Sequence, residues 1–122
     1  MNPKTLELRK KRALIIVPVL KKLFPTTRSA LNYTNPLEFL FSVILSAQCT
    51  DERVNIVTEK LFKKYPTLDD YIKADIAEFE QDIKSTGFYR NKAKNILATA
   101  KILKEKYNSD LPRTMEEMLE LP

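Results

Sequence analysis

The stretch "NPLEFLFSVILSAQCTD", Asn35 to Asp51, decides the architecture. Asn35-Pro36-Leu37-Glu38 is a helix start: a capping side chain, a first-turn proline whose missing N–H is unneeded there, and an acid at the third helical position. Leu37, Phe39, Leu40, Phe41, Val43, Ile44 and Leu45 then make the predicted helix apolar nearly all round. Such a helix belongs at the centre of a bundle. It finishes on Ser46, Gln48, Thr50 and Asp51. Thr50 is placed to cap a following helix, with Asp51 and Glu52 in its first turn, where the helix dipole favours acids. The polar tip has two readings. It is a helix end followed by a cap, or it is a rigid buried helix presenting an amide, a hydroxyl and a carboxylate to a ligand. An amide carries donor and acceptor alike and can read base edges. Spacing alone favours the cap.

Working outward, Asn2-Pro3 predicts the start of a helix that runs to about Phe24, with Pro18 inside to kink it or split it. Residues 25–35, "PTTRSALNYTN", read as a connecting loop and a boundary between structural units. After Thr50 a helix carries Val54, Val57, Leu61 and Phe62 mostly on one face and ends at "KKYPTLDD". Thr67-x-x-Asp70 and Asp75-x-x-Glu78 mark two further helix starts. The second of these helices turns Ile76, Phe79 and Ile83 inward and stops near Gly87, a natural left-handed residue beyond a helix end. From Tyr89 to Tyr107, Ala93, Ile96, Leu97, Ala100, Leu103 and Tyr107 keep helical spacing, and lysines take the other face. Thr114-x-x-Glu117 opens a last helix, Met115 to Leu121. Seven or so helices with short connections and no convincing strand make an all-α bundle.

Composition agrees. The 122 residues include one glycine, where average usage gives about eight or nine. Sheets and tight hairpins need glycine for positive φ, so its scarcity argues against a β-rich fold. The apolar fraction of 43% is enough for a core. The formal net charge of +5 is unevenly spread. Residues 1–28 carry eight Lys/Arg and one acid, residues 66–83 six acids and one lysine, and residues 84–106 seven Lys/Arg and one acid. Two basic segments around an acidic one suit a polyanion if they share a face, and solvated helix faces if they do not. The lone Cys49 suits a reducing cytosol. The apolar run at residues 13–20 is too short for a membrane span, and no secretory leader is visible.

Histidine is absent, so neither a Ser-His nor a Cys-His pair is available. One cysteine without histidine makes no zinc site, and one glycine makes no phosphate loop. No carboxylate pair is tied by spacing to acid–base work. The segment "TGFYRNKAKN", Thr86 to Asn95, is more suggestive. Gly87 turns the chain, two aromatics follow, and Arg90, Lys92 and Lys94 stand at a helix start, where the dipole adds to their attraction for phosphate. An exposed aromatic at a turn can wedge into a base stack. Alternatively, Phe88 and Tyr89 pack over the helix start.

Taken in order, "NPLEFLFSVILSAQCTDERVN", "STGFYRNKAKNIL" and "LPRTMEEMLELP" resemble endonuclease III, of the helix–hairpin–helix DNA glycosylase/AP lyase family, across nearly the whole chain. The resemblance implies a fold like the six-helix domain of that family, truncated before the hairpin. It implies a basic N-terminal helix, residues 1–28, that packs with a missing C-terminal lobe, and a partial glycosylase domain, residues 29–122. It also implies base excision repair of oxidised pyrimidines, on double-stranded DNA with a damaged base or an abasic site. Gln48 would enter the gap left by a flipped base. Phe88, where many members have leucine, would wedge into the duplex, with Tyr89, Arg90, Lys92 and Lys94 beside it on DNA. Ser46, Thr50 and Asp51 would lie near the lesion pocket.

In the family, the segment after "LP" supplies a glycine-rich hairpin with the Schiff-base lysine, then an aspartate, then four cysteines for a 4Fe-4S cluster. The chain ends at Pro122, before all of these. The expectation is therefore a fragment, inactive alone, with no catalytic residue, metal ligand or cofactor of its own. No lysine here is a candidate nucleophile, because each is expected on a solvent-facing helix side. The alternative is a non-catalytic basic module that binds nucleic acid or is completed by a partner. Self-association through exposed apolar surface and a cytoplasmic, nucleoid-associated location complete the expectations.

Overall fold

The computed structural model describes residues 2–26 and 28–122. Met1 and Thr27, which fall within the basic segment 1–28 and, for Thr27, the connecting loop, lie outside the described residues. Seven α-helices and no strand occur among the described residues: α1 (Pro3–Leu23), α2 (Pro36–Leu45), α3 (Asp51–Lys64), α4 (Leu68–Ile72), α5 (Ile76–Ile83), α6 (Tyr89–Lys106) and α7 (Met115–Met118). A 3₁₀ turn, Lys84–Thr86, joins α5 to α6.

The helix starts are where side-chain chemistry puts them. The Asn35 Oδ1 accepts from Glu38 N at 2.9 Å, and Glu38 folds back to accept from the backbone and hydroxyl of Thr34. The Thr50 Oγ1 accepts from Arg53 N, and Thr67 with Asp70 forms a reciprocal capping box. Asn2, Asp75 and Thr114 cap α1, α5 and α7. Each such cap satisfies a backbone donor that the first turn leaves free, and is worth about 1 kcal/mol.

The core lies where α6 meets α2, α4 and α5, with α3 closing over α2 and the 3₁₀ turn. Phe41, Leu45, Val54, Phe79, Ile83, Ala93, Ile96 and Ala100 are fully excluded from solvent. Its centre is aromatic. Tyr71 meets Phe41 edge-on at 4.8 Å and stacks on Tyr65 at 5.3 Å, while Phe79 meets Tyr65 edge-on at 5.4 Å. The Tyr65 hydroxyl donates to Asp82 Oδ2 at 3.0 Å, and Lys64 binds the same carboxylate.

Several expectations need correction. Of the kink or split expected at Pro18, the split does not occur: α1 runs through it as one helix. Its basic and apolar residues alike face solvent, and it gives no residue to the core. The centre of the bundle is α6 rather than α2. In α2 only Phe41, Ser42 and Leu45 are buried, while Val43 is 45% exposed. The last helix is one turn shorter than its capping box suggested.

Candidate nucleic-acid interface

The turn after α2 begins at Ser46, whose hydroxyl donates to Val43 O at 2.6 Å. That bond closes the helix end on itself and leaves Ser46 half-buried. Gln48 follows in a left-handed conformation, φ 53°, and is exposed. Cys49 N donates back to Ser46 O at 3.1 Å. Thr50 and Asp51 are exposed at the start of α3. Gln48, Thr50 and Asp51 are thus all exposed between the end of α2 and the start of α3, with Thr50 serving as the cap.

The second turn begins at Thr86, whose buried hydroxyl donates to Ile83 O at 2.8 Å. Gly87 has φ 78° and ψ 160°, a region open essentially to glycine alone. An added Cβ there would meet nothing within 4 Å, so the backbone and not space demands the glycine. Phe88 is left-handed at φ 45° and 64% exposed. Its ring does not staple the helix start; the half-buried Tyr89 packs against the core instead. Lys84 and Arg90 both lie 5.7 Å from the Tyr89 ring centre, bracketing it with two cations.

The six other helices have a side-chain cap, whereas α6 has none and no acid in its first turn. The positive end of an 18-residue helix is thus left open beside Arg90.

Lys92 overturns the expectation that every lysine faces solvent. It is 5% exposed. Its ammonium donates to Leu45 O at 2.9 Å and to Thr86 O at 2.8 Å. One side chain thereby joins the end of α2 to the end of the 3₁₀ turn, the two segments that lead into these tips. Burial pulls its pKa below the ordinary lysine value, weakly opposed by nearby Cys49. Desolvation of this kind also activates Schiff-base lysines, but here the nitrogen is turned inward and committed to two carbonyls. It meets neither a phosphate nor a sugar from that position.

Lys94 is exposed but does not join the others. Two residues along a helix turn the side chain by about 200°, and Lys94 borders a hollow with Tyr71, Asp75 and Lys101 at the α4–α5 connection. Position 92 is the residue that sequence reasoning misplaced. The signal was present: Lys92, Ile96, Thr99 and Leu103 fall in one helical stripe, and all are buried.

No group of three metal-capable side chains occurs among the described residues. A 4Fe-4S cluster takes four thiolates, and the single Cys49 does not fit that requirement. Among the described residues no helix is long and apolar enough to cross a membrane.

The endonuclease III of Synechocystis sp. (strain ATCC 27184 / PCC 6803 / Kazusa) is 47% identical over 114 residues, 93% of this chain and 52% of that protein. The Bacillus subtilis (strain 168) endonuclease III is 47% identical over 100 residues, 82% of this chain and 46% of that protein. The chain spans about half the length of these curated relatives. A non-covalent endonuclease III–DNA complex superposes with a TM-score of 0.84 at 46% identity, covering 93% of this chain and 53% of that one. A thermostable thymine-DNA glycosylase superposes with a TM-score of 0.80 at 25% identity, covering 93% of this chain and 54% of that one. The family described as the HhH-GPD superfamily base excision DNA repair protein matches residues 41–118, from the buried half of α2 to the end of α7. The chain belongs to that HhH-GPD superfamily of base excision DNA repair proteins.

Proposed function

We propose that these residues form the duplex-opening face of an endonuclease III-type DNA glycosylase/AP lyase acting on oxidised pyrimidines in double-stranded DNA, in the nucleoid. The observation that carries the proposal is the adjacency of the two tips, bridged by the Lys92 ammonium through Leu45 O and Thr86 O. Gln48 fills the gap left by the extruded base with an amide that both donates and accepts. Phe88 enters the stack as an apolar wedge and offsets part of the few kcal/mol that unstacking requires. Arg90 and the open start of α6 hold a phosphate. Ser46, Thr50 and Asp51 border the lesion. Tyr89 and Lys92 support this edge from within, and Lys94 lies apart from it. No nucleophile is assigned among these residues.

Fluorescence anisotropy tests this directly. Duplexes with and without an abasic-site analogue are titrated with the chain and with its Gln48→Ala and Phe88→Ala variants. We expect binding that weakens with salt, as counterion release requires, and a preference for the abasic duplex that each variant reduces about ten-fold. Borohydride should trap no covalent adduct on abasic DNA. Equal binding to both duplexes, untouched by either substitution, would return the chain to a plain helical bundle.

A second reading, a non-catalytic module completed by a partner, is favoured by α1, whose apolar residues Leu14, Ile15, Val17 and Leu20 are all exposed. Supplying the C-terminal half of an endonuclease III in trans and recovering lyase activity would establish it.

A further inference from the structure

Lys92 is the single buried charged residue of the described chain. Taking a cation out of water is unfavourable unless hydrogen bonds and neighbouring dipoles compensate. A leucine or methionine would fill this place in the stripe with Ile96, Thr99 and Leu103 without that requirement. The acceptors explain the lysine. Leu45 O is an end carbonyl of α2, carrying the partial negative charge of a helix C-terminus, three residues before Gln48. Thr86 O lies two residues before Phe88, on a residue whose own hydroxyl is pinned to Ile83 O. Each tip carries a left-handed, non-glycine residue. Such backbone persists only where the surroundings over-determine it. Lys92 is the group common to both surroundings.

We propose that Lys92 is a positioning residue that ties the two tips together, so that Gln48 and Phe88 enter a duplex as one rigid pair. Lys92 touches no DNA and acts through the carbonyls it holds. The proposal rests on the assignment of Gln48 and Phe88 to the duplex made above.

The test is a double-mutant cycle on an abasic-analogue duplex carrying 2-aminopurine at the opposite position, whose brightness reports unstacking. Gln48→Ala, Phe88→Ala and the double variant are compared with the parent, first with Lys92 and then with Lys92→Met. Circular dichroism and thermal melting check that each variant folds. With Lys92 in place, the double variant should lose less affinity than the product of the single losses, by about ten-fold, because a rigid pair fails as a unit. With methionine the losses should multiply. A residue that only stabilised the fold would not change the coupling between two others.

Single losses that persist while the coupling is the same in both backgrounds would overturn the tie and leave the duplex assignment standing. Single variants without effect would overturn both. If Lys92→Met does not fold, amide hydrogen exchange in the unaltered chain decides. Tied tips open together, so the amides of Cys49 and Gly87, which donate to Ser46 O and Lys84 O, should share one opening free energy across denaturant. Independent openings would overturn the proposal.

Discussion

Gln48 and Phe88 stand in the same unfavourable backbone conformation, φ 53° and φ 45°, at the two turns that meet beneath Lys92. Left-handed backbone disfavours any residue with a Cβ by about 1–2 kcal/mol. Both side chains are exposed, so neither recovers that energy by packing within this chain. Packing of these side chains therefore does not account for either conformation.

Gln48→Gly and Phe88→Gly should accordingly separate stability from binding. Glycine relieves the left-handed strain but adds freedom to the unfolded chain. Urea denaturation should show stability unchanged or raised by up to about 1 kcal/mol. The preference for abasic DNA should meanwhile fall as it does for the alanine variants. A loss of more than about 1 kcal/mol would mean that the side chains pack internally.

Gly87→Ala should behave in the opposite way. No atom lies near the added methyl, but φ 78° with ψ 160° is closed to alanine. Destabilisation of about 1–3 kcal/mol is expected, measured as a lower denaturation midpoint with an unchanged m-value. Unaltered stability would show that the turn relaxes freely.

The Tyr65–Asp82 bond gives a pH signature. Burial first, then the hydrogen bond and charge of Asp82, push the Tyr65 phenol from 10.0 up to about 12. Between those values the unfolded chain has released this proton while the folded chain keeps it. Raising pH through that window therefore removes stability. Ultraviolet titration should resolve Tyr65, like the buried Tyr71, ionising well after exposed tyrosines. In Asp82→Asn its pKa should move back towards the ordinary value. A Tyr65 that ionises with the others would show that the bond is not held in solution.

The outer surface of α1 predicts self-association. Exposed apolar patches beyond a few hundred Å² are unusual on monomers. Ile16 and Leu20 lie one turn apart and are both exposed. Sedimentation velocity should show concentration-dependent dimers that Ile16→Glu with Leu20→Glu converts to monomers. A monodisperse parent chain at all concentrations would count against this.

What the sequence makes legible is the local chemistry. Asn35, Thr50, Thr67, Asp75 and Thr114 announce helix starts because the cap and its donor are three residues apart. The inner face of α6 follows from spacing for the same reason. Lys92 was hidden because its meaning lies in Leu45 O, 47 positions away in the chain. A lysine on a lysine-rich helix reads as solvent-facing until its stripe partners are counted. The exposure of Val43 and the brevity of α7 were equally out of reach, since they depend on what packs against each helix and not on its own residues. Gln48 and Phe88 were legible as candidates from the resemblance, but their shared left-handed backbone was not, because neither side chain advertises it.

The Lys92–Leu45 bond also has a kinetic meaning. Contacts between residues far apart in the chain form only after the intervening loop has closed, and that closure is slow compared with winding a helix. The helices before α6, from α2 to α5, each carry their own capping signal, whereas α6 has none. The edge they jointly present takes shape only when α6 settles on the end of α2. Helices as short as α4, α5 and α7 are marginal until they pack, so a nascent or partly denatured chain would lack that shared edge until α6 docks.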